Sequence, residues 1–556
     1  MKILQFILPA VLLFACNTRQ QETTPATSES QDAVNAPSDT VYLERNTAVT
    51  ATNSYSDLFL DSNTISEFIS TNNLTADDQK WIRSFYNYRN MQFAWFSSQG
   101  FTEQARGFWN LQDKMGVSTD KRLSNKMDIL LNMDTLTVGN DDTTIAATEL
   151  ALTNAYLHFF RANRNYTQFA QLSAEKAIPI KKESIAILTD TLIHRQTDTM
   201  TNRSAVPYFL LKQKLQLYNS IAQMGGWSPI SFTGAQLNKG AVSPAIALIK
   251  KRLQKTGEMS GNDTSAVFDD SLIIAIKNYQ LHNGLIPTGK ISDTLVQSLN
   301  VPVQDRMQQI IINLNRLQWT PAIQDTNYLS VNIPDFLLTV FENNVKLFDM
   351  PVVVGKEGTN TTMFTGKINQ VVFSPYWNIP ASIVEKEILP KMKNNPDYLE
   401  SNRMEIVGKN DSLPRIRQLP GKGNMLGKVK FLFPNRYDIY LHDSPEKWIF
   451  SRARRALSHG CIRLADAEKL AVYLLRGNSS WPEEKIREAM NSEKEQFVKL
   501  NPPLAVHINY YTAWVDENGQ LNFRDDIYDN DSKISKMMFD NAQAVAPPTQ
   551  DSSVPQ

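Results

Sequence analysis

The stretch that decides the fold class lies in the second half of the chain: YLSVNIPDFLLTVFENNVKLFDMPVVVG, residues 328–355. Val, Leu, Ile and Phe alternate and cluster on both sides of Asn343 and Asn344, a pattern typical of two strands joined by a tight hairpin turn. Similar short runs follow at KINQVVFSPYW, KVKFLFP and YDIYLH, and another hairpin is predicted around Glu517–Gly519. This part of the chain is therefore predicted to be a β domain.

The chain before this region is predicted to be helical. From about Tyr55 to Trp227 apolar residues recur at near-helical intervals, as in TELALTNAYLHFFRANRNY. Further on, Ser243 is suited to cap a helix and Gly284 to end one, which predicts a bundle of three short helices between 243 and 300. The predicted fold class is multi-domain α+β.

Length and charge bound the possible functions. The chain has 556 residues, which suggests about three domains at roughly 100–200 residues each. Its 57 basic residues balance 57 acidic ones, so no electrostatic field for nucleic-acid binding is implied. We therefore expect no nucleic-acid partner, and the sequence carries no indication of oligomeric state.

The N-terminal stretch MKILQFILPAVLLFAC has a basic Lys2, an apolar run and a small residue before Cys16. This arrangement is typical of a secretory signal. It resembles a bacterial lipoprotein signal whose lipobox is Leu13-Phe14-Ala15-Cys16, which implies lipidation of Cys16 and a membrane anchor in the cell envelope. An ordinary cleaved signal with an incidental cysteine is the alternative.

The second of the two cysteines, Cys461, lies in the phrase SHGCIRL, 19 residues after His442. A thiol becomes a strong nucleophile when its pKa falls beside an imidazolium, another cation or a helix start. His442, His459, Arg463 and the helix predicted next in the chain are the available groups. Gly460 lets backbone N–H groups turn towards one point, as an oxyanion hole requires. These residues predict a catalytic cysteine.

Two other interpretations of these residues stay open at this point. Zinc could be bound by His442, His459 and Cys461, although no fourth ligand and no CxxC pair lie nearby. The thiol could also be a small buried apolar group, which would leave the neighbouring histidines and glycine unexplained.

The spacing from His442 to Ser458-His459-Gly460-Cys461 resembles the signature of the L,D-transpeptidases. The phrases RQLPGKGNMLGKVKFLFPN, YLHDSP and FSRARRALSHGCIRL are similar to the large multi-domain branch of that family. That branch combines a helical scaffold domain, a three-helix peptidoglycan-binding module and a β-sandwich-like catalytic domain with a helical capping insertion. FDDSLIIAIKNYQLHNGLIPTGKISDTLVQSL resembles the peptidoglycan-binding module, for which a purely structural spacer is the alternative.

Patterns and resemblance together give the expected boundaries. They are a signal peptide at 1–15, a flexible linker at 16–54, the scaffold domain at 55–240, the peptidoglycan-binding module at 241–302, the catalytic domain at 303–530 with its capping insertion at about 378–428, and a disordered tail at 531–556.

The resemblance implies a cysteine acyltransferase that needs no metal or organic cofactor. Cys461 would attack the third-residue carbonyl of a peptidoglycan stem tetrapeptide and expel D-alanine. His442 would be the base, and His459 would shape the turn and its field. An acceptor amine would resolve the thioester into a 3-3 cross-link. Two alternatives stay open: an L,D-carboxypeptidase in which water is the acceptor, and a non-catalytic lipoprotein that tethers peptidoglycan.

Four further residues are weaker candidates for contacts with the stem peptides or glycan. Tyr440 shares a predicted strand face with His442 and would line the cleft, although alternation fits a core position equally well. Arg463 would pair with a stem carboxylate or hold a loop. Trp377 and Asn424 border the predicted capping insertion.

Overall fold

The computed structural model describes residues 43–114, 120–131, 136–162, 177–195, 206–231, 237–320, 323, 325–410 and 413–540. The predicted signal peptide, Cys16 and residues 541–556 of the predicted tail lie outside this part. Within it, no helix combines the length and the apolar character that crossing a membrane requires.

The helical scaffold domain has an aromatic core. The Trp95 ring lies 5.3 Å from that of Phe108 and 5.2 Å from that of Tyr156. Inside this core Glu149 accepts hydrogen bonds from the backbone N–H of Trp95 at 2.9 Å and from the Tyr86 hydroxyl at 2.9 Å. Its buried carboxyl is therefore not left without partners. Its elements are α1 (Ser62–Thr71), α2 (Ala76–Tyr88), β1 (Phe96–Ser97), β2 (Gly100–Phe101), α3 (Glu103–Lys114), α4 (Lys121–Leu131), α5 (Thr143–Ala162), α6 (Ile185–His194) and α7 (Val206–Gln223).

The last residues of the predicted linker belong to this domain. Leu43 N–H donates to Ser84 Oγ at 3.1 Å, and the Asn90 amide donates to the Val49 carbonyl at 2.6 Å. Val49 is fully buried. Placing the domain boundary at residue 55 was therefore wrong, because a buried valine and its backbone bonds order the segment from residue 43 onwards.

Three short helices follow, as predicted: α8 (Pro244–Thr256), α9 (Asp270–His282) and α10 (Asp293–Leu299). Ser243 caps α8 by accepting a hydrogen bond from the Ala245 N–H, and Pro244 occupies the first turn, where its missing N–H costs nothing. The buried Lys250 ammonium lies 2.6 Å from an Asp263 oxygen and 2.5 Å from an Asp269 oxygen. The buried ammonium of Lys250 is thus paired with two carboxylates.

After the linking helix α11 (Val303–Trp319), the chain forms the β-rich domain. The Asn343–Asn344 turn lies between β4 and β5, and both residues have positive φ (51° and 62°), as the predicted tight turn requires. The strands and helices here are β3 (Tyr328–Asn332), β4 (Leu337–Glu342), β5 (Val345–Gly355), β6 (Phe364–Phe373), β10 (Val429–Leu432), β11 (Leu441–His442), β12 (Ala456–Ser458), β13 (Ile462–Leu464), α15 (Ala467–Leu475), α16 (Glu483–Asn491) and β14 (Gln496–Asn509).

Among the described residues these strands form one sheet in the order β12-β5-β13-β11-β10-β6-β14-β3-β4. Strand β5 pairs with β4 through its first half and with β13 through Val352 and Val353, so the sheet folds back on itself. Its inner faces enclose a core of Val, Leu, Ile and Phe side chains, against which α15 and α16 pack. The predicted β-sandwich-like domain is confirmed.

The capping insertion contains strands as well as the predicted helices. A three-stranded sheet in the order β7-β9-β8 packs with the helical turns on a small core that includes Val384, Ile388 and Ile416. Its elements are β7 (Trp377–Asn378), α12 (Ala381–Ile383), a π-helical turn (Val384–Ile388), α13 (Leu389–Asn394), α14 (Tyr398–Ser401), β8 (Met404–Asn410) and β9 (Leu413–Gln418). The sequence analysis missed these strands because β7 has only two residues and β8 is largely exposed, which leaves little apolar alternation to detect.

The end of the described chain returns to the helical part of the molecule. After β15 (Ala513–Val515) and β16 (Leu521–Phe523), which form the predicted last hairpin, α17 spans Asn530–Met538. Ile534, Met538 and Phe539 are buried with side chains of α7 and α11. The prediction of a disordered tail from residue 531 was therefore wrong for residues 531–540. Their apolar side chains complete a core whose other members include side chains of α7 and α11.

A buried ion cluster joins three distant parts of the sequence. The Arg316 guanidinium of α11 pairs with Glu103 of α3 and, at 2.5 Å, with Asp531 of α17. All three side chains are largely buried. Removing one partner would leave the other charges desolvated and unpaired, which costs far more than the pair contributes.

We predict that Arg316→Leu lowers the free energy of unfolding by about 3–5 kcal/mol, because Glu103 and Asp531 lose their counter-charge in a buried site. Urea denaturation followed by tryptophan fluorescence measures the change. Arg487→Leu is the matched control, since its ion pairs with Glu468 and Glu483 are solvent-exposed and its effect should stay within about 1 kcal/mol. Equal effects of the two substitutions would contradict the prediction.

Candidate active site

Two adjacent strands bring the predicted catalytic residues together. Strands β11 and β13 pair in parallel, with Leu441 opposite Ile462 and His442 opposite Arg463. The Ile462 N–H donates to the Tyr440 carbonyl at 3.1 Å. Side chains of directly opposite residues on paired strands lie on the same face of the sheet, and so do side chains two residues apart on one strand. Cys461, one residue before β13, therefore lies next to Tyr440 and diagonal to His442.

The turn that carries the thiol requires a glycine. Gly460 has φ +112°, a conformation that side chains rarely adopt, although a Cβ there would meet nothing closer than 3.8 Å. The turn is fixed by three hydroxyl bonds: Thr361 to the Gly460 carbonyl at 2.7 Å, Thr359 to the Ser458 carbonyl at 3.2 Å, and Ser458 to the Cys461 carbonyl at 2.5 Å. Glycine is thus required here because of the backbone conformation, which the three hydrogen bonds hold, and not because a side chain would lack space.

The Cys461 thiol is partly exposed and protonated in this arrangement. Its Sγ donates to the Asp438 carbonyl at 3.6 Å. Burial raises the pKa of the thiol to about 11, and hydrogen bonds from Tyr440 only partly oppose that rise. The sequence analysis expected neighbouring cations to lower this pKa; that expectation was wrong, because desolvation outweighs the bonds and charges around the sulfur.

His442 is buried and oriented by its neighbour. Its Nδ1 lies 2.6 Å from the Asp443 carbonyl, which has no proton to give, so Nδ1 carries the proton and Nε2 has the free lone pair. Burial, and next the positive charge of Arg463, lower the pKa of the imidazole to about 3. At neutral pH the ring is therefore an uncharged proton acceptor.

Tyr440 contacts both of these groups. Its ring lies 5.7 Å from that of His442, and its hydroxyl interacts with the Cys461 sulfur. A neutral thiol and a neutral imidazole thus share one face of the sheet. Chemically, such a pair acts when the proton leaves the sulfur for the ring as the sulfur forms its new bond, a form of general-base catalysis.

His459 points away from this pair towards the capping insertion. Its Nε2 lies 2.8 Å from an oxygen of Glu387, and both side chains are about 37 % exposed. Sequence reasoning missed Glu387, which lies 72 residues earlier in the chain. In the sequence, Glu387 is simply one of the charged residues of IVEKEIL. Nothing in that stretch indicates that its carboxylate contacts the turn that bears His459.

Arg463 holds a loop in this structure. Its Nη1 lies 2.9 Å from an oxygen of Glu446, in the segment between β11 and β12. Its buried Nε–H has no hydrogen-bond partner among the described residues. Arg463 therefore contributes a positive charge next to both His442 and Cys461, and its role towards a ligand stays a prediction.

Trp377 and Asn424 lie at the two ends of the capping insertion. Trp377 pairs with Gln418 across β7 and β9 and is half-buried. Asn424 is buried, and its amide donates to the Pro375 carbonyl at 3.0 Å and the Leu419 carbonyl at 2.9 Å. Its side chain thus closes the base of the insertion, and direct contact with a ligand by either residue stays a prediction.

The described ranges contain no group of three or more His, Cys, Asp or Glu side chains arranged to hold a metal ion. The three residues considered for zinc have other partners: His442 bonds the Asp443 carbonyl, His459 bonds Glu387, and Cys461 bonds the Asp438 carbonyl.

Comparison with known families assigns three regions. Residues 326–485 match the family model described as "L,D-transpeptidase catalytic domain", residues 80–206 match "Scaffold domain", and residues 242–299 match "Putative peptidoglycan binding domain". The resemblance drawn from the sequence is therefore confirmed for these three regions, which match models of a scaffold domain, a peptidoglycan-binding domain and an L,D-transpeptidase catalytic domain.

Individual proteins resemble parts of the chain. A Haemophilus influenzae protein described as "Putative L,D-transpeptidase" is 31 % identical over 244 residues, which are 41 % of this chain and 49 % of that protein, so the chain spans about half the length of this relative. Two solved structures also match parts of the chain. L,D-transpeptidase 3 from Mycobacterium tuberculosis is 14 % identical, with 33 % of this chain and 60 % of that chain covered and a TM-score of 0.18. An L,D-transpeptidase from Stackebrandtia nassauensis is 14 % identical, with 50 % of this chain and 98 % of that chain covered and a TM-score of 0.22.

We predict that Gly460→Ala lowers the free energy of unfolding by about 1–3 kcal/mol, because alanine at φ +112° is strained whatever the space around it. Gly477→Ala is the matched control: its φ is not in the left-handed region and nothing lies within 4 Å of its Cβ, so we expect a change below about 0.5 kcal/mol. Urea denaturation of both variants measures the difference. A Gly460 variant as stable as the Gly477 variant would remove the conformational argument.

Proposed function

We propose that the protein is a peptidoglycan L,D-transpeptidase in which Cys461 is the nucleophile and His442 the general base. The observation that supports this most directly is the pairing of β11 with β13 inside the matched catalytic domain, which aligns a thiol and a correctly protonated imidazole on one sheet face. The substrate is the tetrapeptide stem of peptidoglycan, and the product is a 3-3 cross-link.

The first half of the reaction forms a thioester. The sulfur of Cys461 bonds to the third-residue carbonyl carbon as its proton passes to Nε2 of His442. The Gly460 N–H already donates to Ser458 Oγ at 3.2 Å, so the Cys461 backbone N–H of the same turn would stabilise the oxyanion. The C–N bond to D-alanine then breaks, and the departing amine takes the proton from His442.

The second half transfers the acyl group. An acceptor amine attacks the thioester carbonyl and loses a proton to His442. The carbon–sulfur bond breaks, and the sulfur recovers a proton from the imidazole. Every group returns to its starting state, so the reaction needs no cofactor. Water in place of the amine would give a carboxypeptidase.

The other regions support delivery of the substrate. The module at 242–299 would hold peptidoglycan, and the Glu387–His459 contact would place the capping insertion over the turn that bears the thiol. An enzyme acting on peptidoglycan works in the cell envelope. A lipid on Cys16 would keep it at a membrane there.

We predict that the purified protein converts tetrapeptide-stem muropeptides into cross-linked dimers with loss of D-alanine, and that Cys461→Ala abolishes this because no nucleophile remains. Mass spectrometry of the products is the measurement. Tripeptide monomers alone would instead identify a carboxypeptidase. No conversion by a folded wild-type protein would leave only the tethering role and overturn the proposal.

The pH dependence tests the assignment of the base. A base with pKa about 3 stays unprotonated above that pH, so wild-type acylation by a carbapenem should not fall as the pH drops from 8 to 5. His442→Ala should acylate about 10² to 10⁴ times more slowly at pH 7. Its rate should rise with pH towards the thiol pKa of about 11, since hydroxide then removes the proton.

His459→Ala is the control for this experiment, because its imidazole is bound to Glu387 and removes no proton in the proposed reaction. We expect a smaller loss without alkaline recovery. Circular dichroism verifies folding of both variants. If the His459 variant alone recovers at high pH, the base has been assigned to the wrong histidine.

A further inference from the structure

The loop between β10 and β11, residues 433–440, contacts the helical scaffold domain on its outer side. The Arg436 Nη1 lies 2.5 Å from an Asp128 oxygen of α4, and the guanidinium lies 5.3 Å from the ring centre of Trp109 in α3. Trp109 is buried in the scaffold core. Arg436 is therefore attached to a rigid part of another domain.

A second contact fixes the same boundary. The Asn110 amide donates to the Met363 carbonyl at 2.8 Å, just before β6. The ring of Phe364, the first residue of β6, lies 5.3 Å from the Tyr437 ring. Helix α3 thus meets the catalytic domain at two neighbouring points, one of which is the loop itself.

The inner side of the loop meets the thiol. Asn435 Oδ1 accepts hydrogen bonds from the Tyr437 N–H at 3.0 Å and the Ile439 N–H at 3.2 Å, which makes the turn one rigid unit. Asp438 inside that unit has φ +50°, and its carbonyl accepts the Cys461 Sγ hydrogen bond at 3.6 Å. Arg436 and the thiol contact are therefore two residues apart on one rigid turn.

We propose that the scaffold domain positions the nucleophile: Asp128 and Trp109 fix Arg436, and Arg436 fixes the turn whose Asp438 carbonyl orients the Cys461 thiol. Asp128 and Arg436 are positioning residues and do not touch the substrate. The inference rests on the proposed role of Cys461 as the nucleophile, and it gives the helical domain a function in the reaction.

The expected effect is on reactivity and not on stability. The two side chains are partly exposed, and such pairs contribute little to folding stability. A displacement of about 1 Å at a reacting atom, by contrast, costs about 10²-fold in rate. A weak ion pair is therefore sufficient to control the geometry of the thiol.

The experiment uses charge reversal in the full-length protein. Asp128→Arg and Arg436→Asp each place like charges together, and the double variant restores an opposite pair. Iodoacetamide alkylation of Cys461 is followed from pH 6 to beyond the thiol pKa of about 11 by mass spectrometry of its tryptic peptide. Carbapenem acylation is followed in parallel. The control reverses the Arg476–Glu342 pair of the catalytic domain, which is also a partly exposed ion pair, although its arginine is more exposed than Arg436.

Both single variants should shift the pH midpoint of alkylation downward by at least half a unit, because the thiol loses the carbonyl that favours its protonated form. Acylation at pH 7 should fall at least fivefold, with unchanged thermal midpoints. The double variant should recover most of both effects, and the control variants should match wild type. An unchanged alkylation midpoint, or no recovery in the double variant, overturns the proposal.

This design separates the two hypotheses. Alkylation needs only the thiol, so its pH profile reports on positioning even in a protein that acylates nothing. A wild type with normal alkylation but no carbapenem or muropeptide reaction would contradict the proposed function. If the wild type acylates normally but the charge-reversal variants behave like the control, only the positioning role is contradicted.

Discussion

The parallel pairing of β11 with β13 is the constraint on which the site depends. These strands are only two and three residues long, yet their register sets which residue faces Cys461. A slip of one residue would turn the thiol to the opposite face of the sheet from His442. The register is fixed from both ends, by the Gly460 turn on one side and by the buried Leu441 and Ile462 on the other.

The site combines two groups whose neutral forms burial favours. Desolvation raises the pKa of the Cys461 thiol and lowers that of His442, so neither carries a charge at neutral pH. A resting thiolate would be more nucleophilic, but it would also be more easily oxidised. In the proposed reaction, a protonated thiol beside an uncharged base would react only when a substrate carbonyl is in place.

The domains are joined by polar contacts at their boundaries. Arg316 connects α3, α11 and α17 through a buried ion cluster, and the pair of Asp128 and Arg436 connects the scaffold domain to the loop beside the thiol. The two contacts differ in their consequences, because the first is desolvated and governs stability while the second is hydrated and has little effect on it. The scaffold domain is thus joined to the rest of the chain at these two places: through Arg316 to α17, which follows the β-rich domain, and at the loop beside the Cys461 thiol.

Much of this could be predicted from local sequence. The Asn343–Asn344 turn, the Ser243 cap and the need for glycine at 460 follow from backbone conformations that neighbouring residues determine. Cys461 and His442 were singled out by their spacing along the chain, and their catalytic roles stay predictions. The boundaries at 55 and 531 were misplaced, since the apolar residues there have their partners in distant segments.

The sequence by itself determined the domain types, the class of secondary structure outside the capping insertion and the choice of candidate nucleophile and base. Only the tertiary structure decided the protonation of the thiol, the partner of His459 and the contact of Arg436 with the scaffold domain. The physical reason is that desolvation and ion pairing depend on distances between groups far apart in the chain. Glu387 is 72 residues from His459, and Asp128 is 308 residues from Arg436, separations over which no local pattern carries information.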